Sequence, residues 1–224
     1  GSKSKTTVEG QGEAAASLPA AGAPRRRPVQ ARGRKRVDTI LGAAERLIRD
    51  KGVDALKMSE IAAEAEVPIG SIYQFFADRG AILRALAERY MEQNRRMLET
   101  TLRNIKTIDD AKRKLWQAVD QSFETHWTDH AFRDVWFGLL ADRDLQKLNQ
   151  AAARRSAAII VGALKGLFSH LPEARLTLAA ETMVLMSEGL VRATSLEDVD
   201  IGKAKVGEFK HLIALYLRDL SIGD

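Results

Sequence analysis

The chain has 224 residues, 45% of them hydrophobic, which is enough for one large domain or two small domains with packed cores. It has no cysteine, which excludes disulfides and thiolate chemistry, and no apolar run reaches the roughly 18 residues that span a bilayer. The opening residues are polar and lack a signal-peptide pattern, so we expect a cytoplasmic protein.

The formal net charge of +5 is concentrated at one end of the chain. Residues 1–36 hold nine Lys or Arg and two acids, whereas the rest of the chain holds 26 basic and 28 acidic groups. Residues 1–32 are rich in Ala, Gly, Ser, Pro and Gln, and we expect them to form a disordered basic arm. Such arms bind nucleic-acid phosphates or enter the minor groove, although an inert solubilising tail has the same composition.

Helical periodicity begins after this arm. Apolar residues predict a first helix over residues 34–51, ended by Gly52. Residues 58–76 predict two short helices joined by a tight turn at Pro68, which removes a hydrogen-bond donor. This arrangement is typical of a helix-turn-helix, whose second helix enters a DNA major groove, although an ordinary pair of core helices has the same pattern.

This stretch resembles the DNA-binding domain of TetR-family transcriptional regulators. The residues that carry the resemblance are Ile61, Ala62, Ala65, Val67, Gly70, Ser71, Ile72, Tyr73, Phe76, Arg79, Ile82 and Leu83. It implies an all-α fold, with a helix-turn-helix DNA-binding domain over residues 33–78. Residues 79–224 would then form a helical domain for effector binding and dimerisation.

The resemblance also implies how individual residues meet double-stranded DNA. Tyr73 and Arg79 match family positions that bind phosphates, and Ser71 matches a small hydroxyl residue on the recognition helix. Gln74 could pair with adenine, and Ile69 or Phe75 could touch a thymine methyl group. With the basic residues that precede the domain, the candidate DNA-binding residues are Arg32, Arg34, Lys35, Arg36, Lys57, Ser59, Ile69, Gly70, Ser71, Tyr73, Gln74, Phe75 and Arg79.

Some positions depart from the family pattern. Glu66 replaces a turn glycine, so a non-glycine residue has to hold a left-handed or nearby conformation at a cost of roughly 1 kcal/mol. Pro68 replaces the usual serine N-cap and loses a capping hydrogen bond. Residues 37–85 contain six basic and eight acidic groups, so we expect the basic arm to supply much of the salt-dependent affinity for DNA.

The remainder of the chain predicts helices near residues 108–127, 130–141, 144–169, 173–195 and 203–220. The last two of these are apolar on more than one face, which indicates burial or an interface. The resemblance implies a four-helix dimer interface made by the last two helices of each subunit, while periodicity is equally compatible with burial inside one monomer. The predicted interface residues are Phe209, Leu212, Ile213, Tyr216, Leu217 and Leu220.

All three tryptophans lie in the middle of this predicted domain, next to other aromatic residues and methionines. Such stripes usually form a core, but ligand pockets are also lined by aromatic and apolar groups with few polar ones. Asp120, between Trp116 and Trp127, would suit an organic cation. The predicted ligand-binding residues are Trp116, Asp120, Phe123, Trp127, Trp136, Phe137, Met183 and Met186.

No catalytic constellation is apparent, so we expect no enzymatic activity and no cofactor. His126 and His130 are four residues apart and could share a helix face, but a pair at this spacing is usually incidental, and we predict no metal site.

The sequence as a whole predicts a ligand-responsive regulator, a repressor, that binds a palindromic operator as a homodimer and is released by a small-molecule effector. One rival is a helical small-molecule-binding or metal-binding protein in which the helix-turn-helix is only structural. Another is a partner-binding module that meets DNA only through its basic arm.

Overall fold

The computed structural model describes residues 26–138, 143–195 and 197–222, with the side chains of residues 26–30, 130, 132, 137 and 138 excepted. Within these ranges the chain forms nine α-helices and no strand, which confirms the all-α prediction. The helices are α1 (Arg26–Lys51), α2 (Met58–Glu64), α3 (Ile69–Tyr73), α4 (Arg79–Thr101), α5 (Ile108–Thr128), α6 (His130–Gly138), α7 (Arg143–Leu164), α8 (Glu173–Thr194) and α9 (Val199–Ile222). None of these helices is long and apolar enough to cross a bilayer.

Helix α1 begins at Arg26, eight residues before the start predicted from apolar periodicity. The expectation of disorder is therefore wrong for residues 26–32, whereas residues 1–25 lie outside the described part. Arg, Gln and Ala favour helix, and Pro28 falls in the first turn, where backbone N–H groups have no intrahelical acceptor anyway. At the other end Gly52 adopts φ +80° and donates to the Ile48 carbonyl at 2.8 Å, as expected for the residue after a helix.

Helices α1 to α4 enclose the first of the hydrophobic cores. Its centre is a set of fully buried aliphatic side chains, one or more from each helix, among them Ile40, Ile61, Ile72 and Ile82. Asp78 caps α4, because its carboxylate accepts from the Ala81 N–H at 2.7 Å. These contacts fix α3 against the other helices and determine which of its side chains face outward.

The first core continues beyond the predicted domain boundary at residue 78. Ala131 and Val135 of α6 and Leu145 of α7 are buried in it, together with Leu86 and Tyr90 of α4. Helix α6 therefore packs on α1 and α4. The N-terminal helices and the C-terminal bundle share one continuous packed junction.

Helices α5, α7, α8 and α9 form the second core, in which α5 packs along α9 and α7 along α8. Phe123 of α5 and Phe168, which follows α7, are fully buried in it. Gly202 lies where α9 meets α5, and an added Cβ would stand 3.1 Å from a ring carbon of Trp127. The close approach of the two helices at this point leaves little room for a side chain.

Candidate DNA-binding surface and effector cavity

The turn between α2 and α3 sets the direction of α3. Glu66 has a positive φ of 53°, the left-handed conformation expected where the family has glycine. The Val67 N–H then donates to the Ala62 carbonyl at 3.0 Å and closes the turn. Pro68 occupies the N-cap of α3 and makes no side-chain capping bond, as predicted.

The turn and the core together leave one face of α3 uncovered. Ile72 and, just beyond the helix, Phe76 are buried, whereas Tyr73 keeps 53% of its surface exposed. Ile69 and Phe75 are also exposed, which is unusual for large apolar side chains unless the surface has another function. Gly70 and Gln74 are exposed as well, and Ser71 is half-buried at the edge. The predicted recognition residues therefore share an accessible surface.

Lys57 and Ser59 are exposed at the start of α2, with Lys57 in the N-cap position. Arg79, at the start of α4, is held differently. Its guanidinium donates to the backbone carbonyls of Val53 and Asp54 at 3.2 and 3.0 Å, and so ties α4 to the loop between α1 and α2. This side chain therefore has a structural role that the sequence did not reveal, because its acceptors are main-chain atoms 25 and 26 residues away.

Arg32, Arg34, Lys35 and Arg36 are exposed on the N-terminal part of α1. Residues 26–36 carry six basic groups and no acid, and all six lie on one continuous helix. The positive charge is therefore displayed along a helix and not on a flexible segment over this range.

A cavity of about 760 Å³, here termed the large cavity, lies among α4 to α9. Trp116 and Asp120 of α5 lie towards one end, and His126 lies ten residues after Trp116 on the same helix. Arg113 lines it too, so at about 1.5 Å per residue the cavity extends roughly 20 Å along α5, from Arg113 to His126. Tyr90, Met91 and Trp136 also line it, so the cavity reaches the junction with the first core.

A second cavity of about 150 Å³, the small cavity, adjoins the first. Its lining is mainly aliphatic and aromatic, including Leu176 and Ala180 of α8 and Ile213 of α9. The two cavities share one wall, defined by the residues that line both. These residues are Asn94, Met97, Ser122, Ser156, Ser187 and Glu188.

Glu188 and Asn149 form a polar pair in the wall of the large cavity. Asn149 Nδ2 donates to Glu188 Oε2 at 3.1 Å, and Asn149 Oδ1 is buried and accepts no hydrogen bond from the described residues. Burial raises the pKa of the Glu188 carboxyl, and the Asn149 hydrogen bond and Arg192 oppose this only in part. Neither Glu188 nor Asn149 was predicted from the sequence, since a single Asn and Glu on separate helices give no local signal.

His126 is half-buried in the wall of the large cavity. Its Nδ1 lies 2.7 Å from the Ser122 carbonyl oxygen, which can only accept, so Nδ1 carries the proton. Burial lowers the pKa of this imidazole and favours its neutral form.

The sequence also matches known families. A model of bacterial regulatory proteins of the tetR family matches residues 40–86, and a model of the tetracyclin-repressor-like C-terminal domain matches residues 109–220. The chain belongs to the TetR family. It is therefore a helix-turn-helix, DNA-binding transcriptional regulator.

Individual relatives agree with this assignment. An uncharacterised HTH-type transcriptional regulator of Haemophilus influenzae is 28% identical over 82 residues, which are 37% of this chain and 44% of that protein. The match thus spans less than half of that relative. A TetR-family transcriptional regulator from Streptomyces coelicolor has a TM-score of 0.65 and 25% identity, covering 83% of this chain and 97% of its own. RolR in complex with resorcinol has a TM-score of 0.57 and 20% identity, covering 88% and 97%, which shows the same fold.

The predicted ligand-binding residues are dispersed in this TetR-family structure. Trp116, Asp120 and Trp136 line the large cavity, and Met183 lines the small one. Phe123 is fully buried in the second core, with Trp127 packed against it at 5.7 Å between ring centroids, and neither lines these two cavities. Met186 is exposed on the outer face of α8, and the Phe137 side chain lies outside the described residues. Helical spacing alone does not distinguish residues that line a cavity from residues packed behind it.

Asp120 is not available as assumed for an organic cation. Both of its carboxylate oxygens contact Lys210 Nζ, at 2.8 and 2.7 Å. The same ammonium lies 5.5 Å from the centroid of the Trp116 ring, whose Nε1 donates to the Lys210 carbonyl at 2.7 Å. A lysine of the protein itself therefore occupies the predicted cation site.

Within the described residues, no three His, Asp or Glu side chains come together as a group that could hold a metal. The side chain of His130, the partner of His126 in the predicted histidine pair, lies outside that part.

The predicted dimer residues fall on two different faces of α9. Phe209, Ile213, Leu217 and Leu220 are buried in the core of the monomer, which leaves little of their surface for the subunit interface predicted from the sequence. Tyr216 is half-buried, and its hydroxyl accepts from Arg175 at 2.7 Å. Leu212 is exposed, and Leu215 beside it is exposed too.

Helix α8 has an apolar outer face of its own. Leu178, Leu185 and Met186 are exposed there at helical spacing. Together with Leu212 and Leu215 of the neighbouring α9 they form what we call the outer apolar face. Exposed apolar side chains clustered in this way mark protein interaction surfaces.

Proposed function

We propose that this TetR-family protein is a ligand-responsive repressor that binds a palindromic operator as a homodimer and is released by a small-molecule effector. The observation that carries the proposal is the accessible face of α3, where Ile69, Tyr73 and Phe75 are exposed above a buried Ile72. In the proposed complex the Tyr73 hydroxyl donates to a phosphate, Gln74 pairs with an adenine edge, and Ile69 or Phe75 meets a thymine methyl.

The homodimer is proposed to form through the outer apolar face of α8 and α9. A twofold interface pairs the same patch on both subunits, and these two helices would then form a four-helix contact. Twofold symmetry places the two copies of α3 on operator half-sites about one helical turn apart, or ~34–36 Å, or a multiple of it.

The effector is proposed to bind in the large cavity. Tyr90, Met91 and Trp136 line this cavity and also belong to, or pack against, the core that holds the DNA-binding helices. A ligand that changes the packing of these side chains would shift α4 and α6 relative to α1. Such a shift would change the spacing of the two copies of α3, and coupling energies of this kind are typically about 1–3 kcal/mol.

A footprint on the DNA upstream of the protein's own coding sequence tests the proposal. We expect a protected palindrome, and loss of protection for the double variant Tyr73→Phe with Gln74→Ala, because each substitution should weaken binding by roughly 1–3 kcal/mol. Gln150→Ala, which truncates an exposed amide on α7 outside both cavities, is the control and should leave the footprint unchanged. Binding of DNA without regard to base order would favour a protein whose helix-turn-helix is only structural.

The basic residues on α1 are proposed to bind phosphates as well. Replacing Arg32, Lys35 and Arg36 by Gln should reduce the slope of log affinity against log salt by about 0.9 for each phosphate that is no longer neutralised. Sequence preference should be retained, because phosphate contacts carry no sequence information directly. An unchanged salt slope would show that this part of α1 does not touch DNA.

A further inference from the structure

The wall shared by the two cavities determines which kind of small molecule fits them. Apart from this wall and Tyr216, whose hydroxyl accepts from Arg175, the small cavity is apolar, and Glu188 alone is charged among its described lining residues. An apolar cavity of about 150 Å³ is large enough to hold a benzene ring. If a phenyl group occupied the small cavity, a substituent on its ring would pass Glu188 where the small cavity meets the large one.

The polar groups near Glu188 include an unused hydrogen-bond acceptor. Asn149 Oδ1 is buried and accepts no hydrogen bond from the described residues, while Asn149 Nδ2 is already used by Glu188. Ser156 lies seven residues after Asn149, on the same face of α7, and is buried on the shared wall. A ligand with hydrogen-bond donors would satisfy Asn149 Oδ1 and the Glu188 carboxylate.

The cations around the large cavity are mostly engaged with acids of the protein. Arg95 binds Glu92 and Glu99, Arg113 binds Asp110 at 2.6 Å, and Lys210 binds Asp120. Arg155 also lines the large cavity, but it is exposed, and six residues after Asn149 it is turned about 120° from Asn149 around α7. The carboxylate of Glu188, by contrast, has Asn149 as its hydrogen-bond partner and Arg192 one turn along α8.

We propose that the effector is an arylalkyl amine, with its aromatic ring in the small cavity and its ammonium group against Glu188 and Asn149 Oδ1. Larger members of this class would extend into the large cavity beside Trp136 and Met91. This inference rests on the effector site of the proposed function and narrows it to a class of ligand. It replaces Asp120 with Glu188 as the carboxylate that meets the cation.

Three probes of nearly equal size test the class by calorimetry on the full-length protein without DNA: phenethylamine, phenethyl alcohol and phenylacetate. We expect the amine to bind at least about tenfold more tightly than the alcohol, because a hydrogen bond to a charged group exceeds a neutral one by this order. Phenylacetate should bind most weakly, since it brings a second carboxylate to Glu188. Equal or tighter binding of the alcohol or the acid would overturn the proposal.

Two variants then locate the site. Glu188→Gln should lower the affinity for the amine about tenfold to a hundredfold and leave that for the alcohol within about threefold. Glu181→Gln, on the same helix but outside both cavities, is the matched control. Ala180→Leu should fill the small cavity and weaken binding of the amine about tenfold or more. Circular dichroism checks that each variant is folded. If a variant does not fold, the comparison of the three probes on the wild-type protein still tests the proposal.

The outcomes separate this inference from the proposed function. Binding of none of the probes, with the operator footprint intact, would overturn the ligand class and leave the DNA-binding regulator in place. Tight phenylacetate binding that is abolished in Arg155→Gln would show an anion site and overturn the inference too. A missing footprint with amine binding retained would instead overturn the repressor and leave the amine site.

Discussion

Lys210 Nζ lies 2.8 and 2.7 Å from the two carboxylate oxygens of Asp120, so an ion pair joins α9 to α5 at one end of the large cavity. The Asp120 carboxylate is therefore paired within the protein. A cation from solution would have to displace a lysine that is tethered next to the carboxylate.

Asp120→Asn should therefore leave phenethylamine affinity unchanged within about twofold, because the ligand is held elsewhere. The pair is partly exposed, so its removal should lower the free energy of unfolding by no more than about 1 kcal/mol. Calorimetry and urea unfolding measure the two quantities. A large loss of amine binding in Asp120→Asn, with Glu188→Gln unaffected, would return the cation site to Asp120.

Glu66→Gly should stabilise the protein, because the residue has a positive φ of 53° that glycine adopts without steric cost. The expected gain is about 1 kcal/mol, or a rise in Tm of roughly 2–4 °C for a chain of this size. Asn104 has a similar φ of 57°, but Asn tolerates this conformation, so Asn104→Gly should gain less. Equal gains in stability at the two positions would show that steric strain at Glu66 is not the cause of the gain.

Leu185→Glu combined with Leu212→Glu should give a monomer, because it places four carboxylates in the proposed twofold interface. Light scattering after size-exclusion chromatography measures the mass directly. Val199→Glu is the control, since Val199 is exposed on α9 but lies about 140° around the helix from Leu212. A wild-type monomer, or a double variant that remains dimeric, would exclude the outer apolar face as the interface.

Glu188→Gln should raise stability at neutral pH and make no difference in acid. Burial raises the pKa of Glu188 above its usual value of 4.5, so its neutral form is favoured in the folded state. The stabilisation tied to the neutral form is complete below pH 4.5 and is lost as the pH rises through the folded-state pKa. Glutamine stays neutral throughout.

Urea unfolding at about pH 8 and about pH 3.5 checks this trend. Asn149 and Arg192 act on the carboxylate in the opposite direction, and Glu181→Gln controls for the removal of an acid from α8. A variant that is less stable than the wild-type protein at about pH 8 would show that the ionised carboxylate stabilises the fold.

Local features of the fold were largely readable from the sequence. Gly52, the left-handed Glu66, the uncapped Pro68 and the Asp78 cap all behave as predicted, because each depends on the backbone preferences of one or two residues. The start of α1 was misplaced, since apolar periodicity does not detect a helix whose first turns carry mainly charged residues.

The sequence by itself determined the family, the all-α fold and the face that α3 presents, because these follow from spacing along one segment. Only the tertiary structure decided which apolar side chains of α9 are core and which are exposed, and that Lys210 covers Asp120. Only the packing of separate helices placed Glu188 beside Asn149 on a wall between two cavities. Such relationships join residues tens of positions apart, and helical periodicity fixes the face of a helix but not the neighbour that the face meets.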